Sequence, residues 1–101
     1  MSGLNFESHG SVTKTVEGHR NQLNVVADIL KVAVDEQLKT HIMYKANLSH
    51  KQLVSYLNYL LERGFLAVVT DSVGDRTRFR VTEKGIQFLR DYARLIKLLS
   101  R

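Results

Sequence analysis

The sequence predicts a mainly α fold with one β-hairpin, built as a single domain. Three observations predict it. First, the stretch LKTHIMYKANLSHKQLVSYLNYLLERG, Leu38 to Gly64, reads as two helices joined by a tight turn. Second, two short runs of β-forming residues follow, Phe65–Thr70 and Arg76–Val81, with the turn-forming segment Asp71–Asp75 between them. Third, the chain resumes a helical period from Glu83 to about Ser100. A length of 101 residues suits one domain with a modest core.

The elements follow in order. Residues 1–19 are polar, hold Gly3, Gly10 and Gly18, and sustain no period. We read them as a flexible tail, with a short docking strand over Val12–Val16 as the alternative. The folded domain then spans residues 20–101. Its first helix runs from Asn21 to about Val34. Leu23, Val26, Leu30 and Ala33 make its stripe, and Val25, Ile29 and Val32 widen it, as befits a central prop. Asp35–Leu38 reads as a loop. Thr40 is the expected N-cap of a short helix, His41–Ala46, with Ile42, Met43 and Ala46 facing inward. Asn47 sits in the turn, where left-handed geometry is needed.

The next helix announces its start. Ser49 and Gln52 form the S-x-x-Q capping box, and Leu48 can staple onto Leu53. Gly64 closes it in the left-handed position after the last turn. Leu53, Leu57, Leu60 and Leu61 make the buried stripe. Lys51, Gln52, Ser55, Asn58 and Tyr59 lie opposite. In the hairpin, period two sets Arg76, Arg78 and Arg80 on one face and Phe79 and Val81 toward the core. Thr82 caps the last helix, 83–100, and Glu83 suits its dipole. Two apolar stripes run along that helix: Ile86, Leu89, Ala93, Ile96 and Phe88, Tyr92, Leu95, Leu99.

A helix-turn-helix followed by a β-hairpin is the layout of a winged helix, in which the second helix of the pair enters the major groove of DNA. THIMYKANLSHKQLVSYLNYLLERGFL followed by RFRVTEKGIQFL also resembles the small archaeal winged-helix DNA-binding proteins. That group includes dimeric chromatin-associated proteins and short transcriptional regulators. The resemblance spans residues 20–99, and its most specific parts are IMYKANLS and VTEKG. It implies binding to DNA as a dimer joined through the C-terminal helix. In long-helix members that helix builds an extended antiparallel coiled coil. Here it ends soon after Leu99, so the dimer geometry does not carry over.

Composition points the same way. The net charge is +5, and residues 1–19 hold Glu7, Glu17 and Lys14, so the basicity belongs to the folded part. From Gln37 to Leu61 there is no acidic residue, while Lys39, Lys45, Lys51, His41 and His50 all fall there. A solvated helix mixes both signs, whereas a surface facing phosphate does not. A row of arginines on one strand face needs a counter-charge. DNA supplies one; pairing with Asp71, Asp75 or Glu83 is the alternative.

Other classes are poorly served. With no cysteine there is no disulfide framework or thiolate metal site. His9, His19, His41 and His50 lack metal-ligand spacing on a common element. No Gly-rich phosphate loop occurs; the glycines read as caps and turn formers. No apolar run has the length of a membrane span, and no signal peptide is visible. No catalytic residue, cofactor or small-molecule substrate is expected.

The resulting expectation is a homodimer on double-stranded DNA, cytoplasmic and nucleoid-associated, acting in transcription regulation or chromatin organisation. Lys51, Gln52, Ser55 and Tyr59 would probe the major groove, and Lys39, Lys45, Ser49 and His50 would hold the backbone. Arg76, Arg78 and Arg80 would contact flanking phosphates or the minor groove. Leu89, Tyr92, Ile96 and Leu99, in 3-4-3 spacing, would form the dimer seam. The rivals are a protein-interaction module of the transcription machinery and an RNA-binding protein that stacks bases on Tyr44, Tyr56 and Tyr59.

Overall fold

The computed structural model describes residues 21–70 and 76–100. The expected tail, its alternative docking strand and the turn Asp71–Asp75 lie outside the described residues. The elements are α1 (Gln22–Val32), β1 (Gln37–Leu38), α2 (Lys39–Lys45), α3 (His50–Glu62), β2 (Leu66–Thr70), β3 (Thr77–Val81) and α4 (Glu83–Leu99). The helix-turn-helix, the hairpin and the final helix are therefore all present in the expected order.

Helix α1 starts where Asn21 accepts a hydrogen bond from Asn24 N at 2.9 Å. It buries Val25, Val26, Ala27, Ile29 and Leu30 at the centre of the molecule. Leu23, counted in the stripe by spacing, lies at the rim and is exposed. Ile42 from α2 and Leu53, Leu57 and Leu60 from α3 pack into the same core, with Leu66, Phe79 and Val81 closing it from the sheet. Leu48 is buried beside them, consistent with its role as a staple.

Helices α2 and α3 end in the same way. Leu48 N reaches back to Met43 O at 3.0 Å and Asn47 N to Tyr44 O at 3.2 Å, with Asn47 at φ 56°. Phe65 N reaches Leu60 O at 2.9 Å and Gly64 N reaches Leu61 O at 3.1 Å, with Gly64 at φ 80°. Both are Schellman closures, in which a left-handed residue turns the chain so that two orphan carbonyls find donors.

The sheet has three strands in the order β1-β3-β2, all antiparallel. Strand β1 corrects the expected loop at Asp35–Leu38. Gln37 pairs with Phe79 and Leu38 with Arg78, a partnership with no local signal. This pairing also moves the start of α2. Leu38 holds the N-cap position in extended backbone without a side-chain cap, and the helix begins at Lys39. Thr40 is thus in the first turn rather than at the cap.

Helix α4 is locked to the end of α3. Thr82 Oγ1 accepts from Gly85 N at 3.1 Å and donates to Gly64 O at 2.6 Å. Lys84 Nζ donates to Arg63 O at 2.8 Å. Gly85 is not the cap or turn former that the sequence suggested. A Cβ there would lie 2.5 Å from Phe65 O and 2.4 Å from Val81 Cγ2, so only glycine allows this approach. Further along, Phe88 meets Phe65 edge-on at 5.7 Å between ring centroids and stacks with Tyr92 at 6.2 Å. Ala93, counted in an apolar stripe by spacing, is exposed.

Candidate nucleic-acid interface

One side of α3 faces solvent along Lys51, Ser55, Asn58 and Glu62, positions 3–4 residues apart that form a single strip. The strip opens on a cation and closes on an acid. Its first two turns are therefore the part suited to a polyanion. His50 is exposed beside them.

Two expected base-contacting residues have other work. Gln52 Oε1 accepts from Ser49 N at 3.0 Å, and Ser49 Oγ accepts from Gln52 N at 3.1 Å. This reciprocal box occupies both side chains and leaves Gln52 only its amide NH₂ to offer outward. Tyr59 is half-buried against the core, and the Arg63 guanidinium sits 4.9 Å from its ring centroid. It lies at the edge of the strip, not on it.

Helix α2 adds exposed Lys39, His41, Tyr44 and Lys45. Tyr44 stands out at 82% exposure. Of the three tyrosines considered for base stacking it alone is well exposed, because Tyr56 and Tyr59 are partly buried.

The arginines of the hairpin do not share one environment. Arg76 precedes β3, so strand alternation does not govern it. Arg78 is half-buried in the sheet. Arg80 Nη1 bonds Glu36 Oε2 at 3.0 Å, an acid that entered none of the pairings considered from sequence. Arg76 instead lines a cleft of about 580 Å³ together with Leu38, Lys39, Thr40, Thr77 and Phe79. The structure thus sets Arg76 on the same cleft as Lys39 and draws Arg80 away toward the acidic loop before β1. Thr40 and Thr77 were not singled out for this site. Their position follows from the unforeseen β1–β3 pairing, and no local motif marks it.

The model of the winged helix-turn-helix family matches residues 19–100, most of the chain. The chain belongs to the winged helix-turn-helix family. This winged helix is 29% identical over 82 residues to the uncharacterized protein MJ0287 of Methanocaldococcus jannaschii, covering 80% of this chain and 78% of that protein. Among solved structures it is similar to Sso10a-2, a DNA-binding protein from Sulfolobus solfataricus. The TM-score is 0.70 and the identity 26%, over 78% of this chain and 81% of that one. A mutant of MepR from S. aureus, bound to an oligodeoxyribonucleotide, matches with a TM-score of 0.67 and 11% identity, over 86% of this chain and 65% of that one. At that identity the likeness is one of fold. The archaeal resemblance and the winged-helix class read from sequence both hold.

The expected dimer residues divide in two. Leu89 is partly buried against the core. Tyr92 is half-buried, its hydroxyl accepts from Asn24 Nδ2, and Lys31 Nζ lies 5.9 Å from its ring centroid. Both therefore serve the domain itself. Ile96 and Leu99 are exposed at 44% and 82%, alongside Leu95 and Leu98. The uncovered apolar surface thus lies at the end of α4, where Ile96 and Leu99 of the expected seam fall, while Leu89 and Tyr92 are withdrawn from it. Among the described residues no helix is long and apolar enough to cross a membrane.

Proposed function

We propose that this protein binds double-stranded DNA as a homodimer and acts as a transcriptional regulator or chromatin protein. One observation carries the reading. The exposed surface of α2, the turn and the start of α3 presents Lys39, His41, Lys45, His50 and Lys51 with no acid from Gln37 to Leu61, and Arg76 joins its edge. Like charges gathered on a folded surface repel one another, and a phosphate backbone relieves that repulsion.

In this reading the first turns of α3 enter the major groove. Lys51 and Ser55 reach base edges, with Gln52 through its amide and Tyr59 at the margin. Lys39, Lys45, Ser49 and His50 hold the backbone, Ser49 chiefly by fixing the helix start. The hairpin arginines Arg76, Arg78 and Arg80 meet flanking DNA, with Arg76 ahead of Arg80. The similarity to Sso10a-2, described as DNA-binding, supports the assignment. A second copy would cover Leu95, Ile96, Leu98 and Leu99. A dimer has two reading heads, so its site would be two-fold symmetric. The protein would act wherever the cell keeps its DNA, and it would bind, not catalyse.

A salt-series binding assay on duplex DNA, single-stranded DNA and RNA tests the reading. Duplex should bind tightest, with affinity falling steeply as salt rises. Equal binding to all three, or no binding to duplex, would overturn it.

A further inference from the structure

We propose that the cleft between the start of α2 and the hairpin seats a single phosphate of the DNA backbone, held jointly by Lys39 and Arg76. This rests on the DNA-binding reading and adds a built site to it. Lys39 belongs to the helix-turn-helix and Arg76 to the hairpin, yet both line one cleft of about 580 Å³. Thr40 and Thr77, each with a hydroxyl to offer, line it too, as do the apolar Leu38 and Phe79. Among the described residues, no carboxylate lines the cleft.

The chemistry fits a phosphodiester. Its two non-bridging oxygens share one negative charge and accept hydrogen bonds from several directions. An ammonium and a guanidinium together neutralise it, and two hydroxyls can donate to it. The space exceeds what one phosphate fills, and Leu38 and Phe79 offer an apolar surface to the adjoining deoxyribose. Thr40 reaches the cleft because α2 starts straight from strand backbone, with Leu38 at the cap position. A phosphate held this way would tie hairpin and helix pair to the same point of the duplex and so fix the angle at which α3 enters the groove.

The experiment compares Lys39→Gln, Arg76→Gln and the double variant on one duplex across a salt series, with circular dichroism confirming the fold. Each neutralised phosphate contributes about 0.9 to the slope of log K against log salt, so the double variant should lose about 0.9 for each subunit bound, which is about 1.8 for the dimer. Its loss in affinity should also fall short of the product of the two single losses, because both side chains act on one group. Thr40→Val should weaken binding several-fold without changing the slope. A slope loss of about 1.8 for each subunit bound, about 3.6 for the dimer, with multiplying affinity losses would mean two separate phosphates and overturn the proposal. An unchanged slope in the double variant, or unchanged affinity in Thr40→Val, would also overturn it. A parent protein that fails to bind duplex at all is a different result, because it strikes the DNA-binding reading itself.

Discussion

Helices α3 and α4 carry nearly the same sequence signals and meet different fates. Each starts at a hydroxyl N-cap, Ser49 or Thr82, and each has an apolar face at helical spacing. Helix α3 spends that whole face on its own domain, burying Leu53, Leu57 and Leu60. Helix α4 uses Gly85, Phe88, Leu89 and Tyr92 and then runs past the core, leaving Leu95, Ile96 and Leu99 uncovered. An amphipathic period therefore says that a face will be buried somewhere. Where the helix ends relative to the core decides whether the covering surface lies within the chain.

The largest difference between the two should appear on truncation. Leu53→Ala removes a side chain with no exposure, and about 2–5 kcal/mol of stability should go with it. Leu95→Ala, at a site 54% exposed, should shift the thermal midpoint of a dilute sample very little. Equal shifts in a thermal melt would mean that the end of α4 is packed within the domain, and the comparison would fail.

Gly85→Ala probes the half of α4 that is engaged. The new methyl would meet the carbonyl of Phe65, which is backbone and fixed by its bond from Thr82 N at 3.0 Å. Overpacking of this kind costs about 1–3 kcal/mol, more than the gain in helix propensity returns. Chemical denaturation of the variant checks it. A more stable variant would show that α4 stands further from Phe65 than the structure places it.

The two N-caps sharpen the contrast. Ser49→Ala breaks a local box and should cost about 1 kcal/mol. Thr82→Ala loses a cap and also the bond to Gly64 O that joins α4 to the end of α3, so its cost should be the larger of the two. Urea titrations of both variants rank them. The reverse order would make the α3–α4 junction less important than the geometry implies.

These comparisons also show what the sequence made legible. The capping box, the staple, the left-handed Asn47 and Gly64 and the buried Leu53, Leu57 and Leu60 are signals contained within a few residues, and each appears as read, while Leu61 of the same stripe is only partly buried. Strand β1 is two residues long and exists only because β3 lies beside it, some forty residues later. That one non-local pairing displaced the cap from Thr40 and set the start of α2 beside the hairpin, where Lys39 and Arg76 line one cleft. The Arg80–Glu36 pair is invisible for the same reason. The period of α4 identified its apolar residues but could not rank them. Only the crossing with α1 shows that Tyr92 belongs inside and Ala93 outside.

The smallest effect on the fold and the most telling for assembly should come from Ile96→Glu. Ile96 is 44% exposed on a helix whose end touches little of the domain, so a solvated carboxylate there should alter monomer stability by no more than about 0.5 kcal/mol. In a dimer covering the end of α4, the same carboxylate would be buried against its symmetry mate. An unpaired buried charge is costly, and two facing each other are worse, so the dimer should separate. DNA affinity should then fall sharply, because two linked reading heads gain from effective concentration and a single head does not. Sedimentation equilibrium on the parent and the variant separates the cases. A dimeric parent and a folded, monomeric variant would show that the bare half of α4 is the interface. A parent that stays monomeric at high concentration would mean that this face has no second copy to meet. The difference between α3 and α4 would then reflect only how far each helix extends past the core.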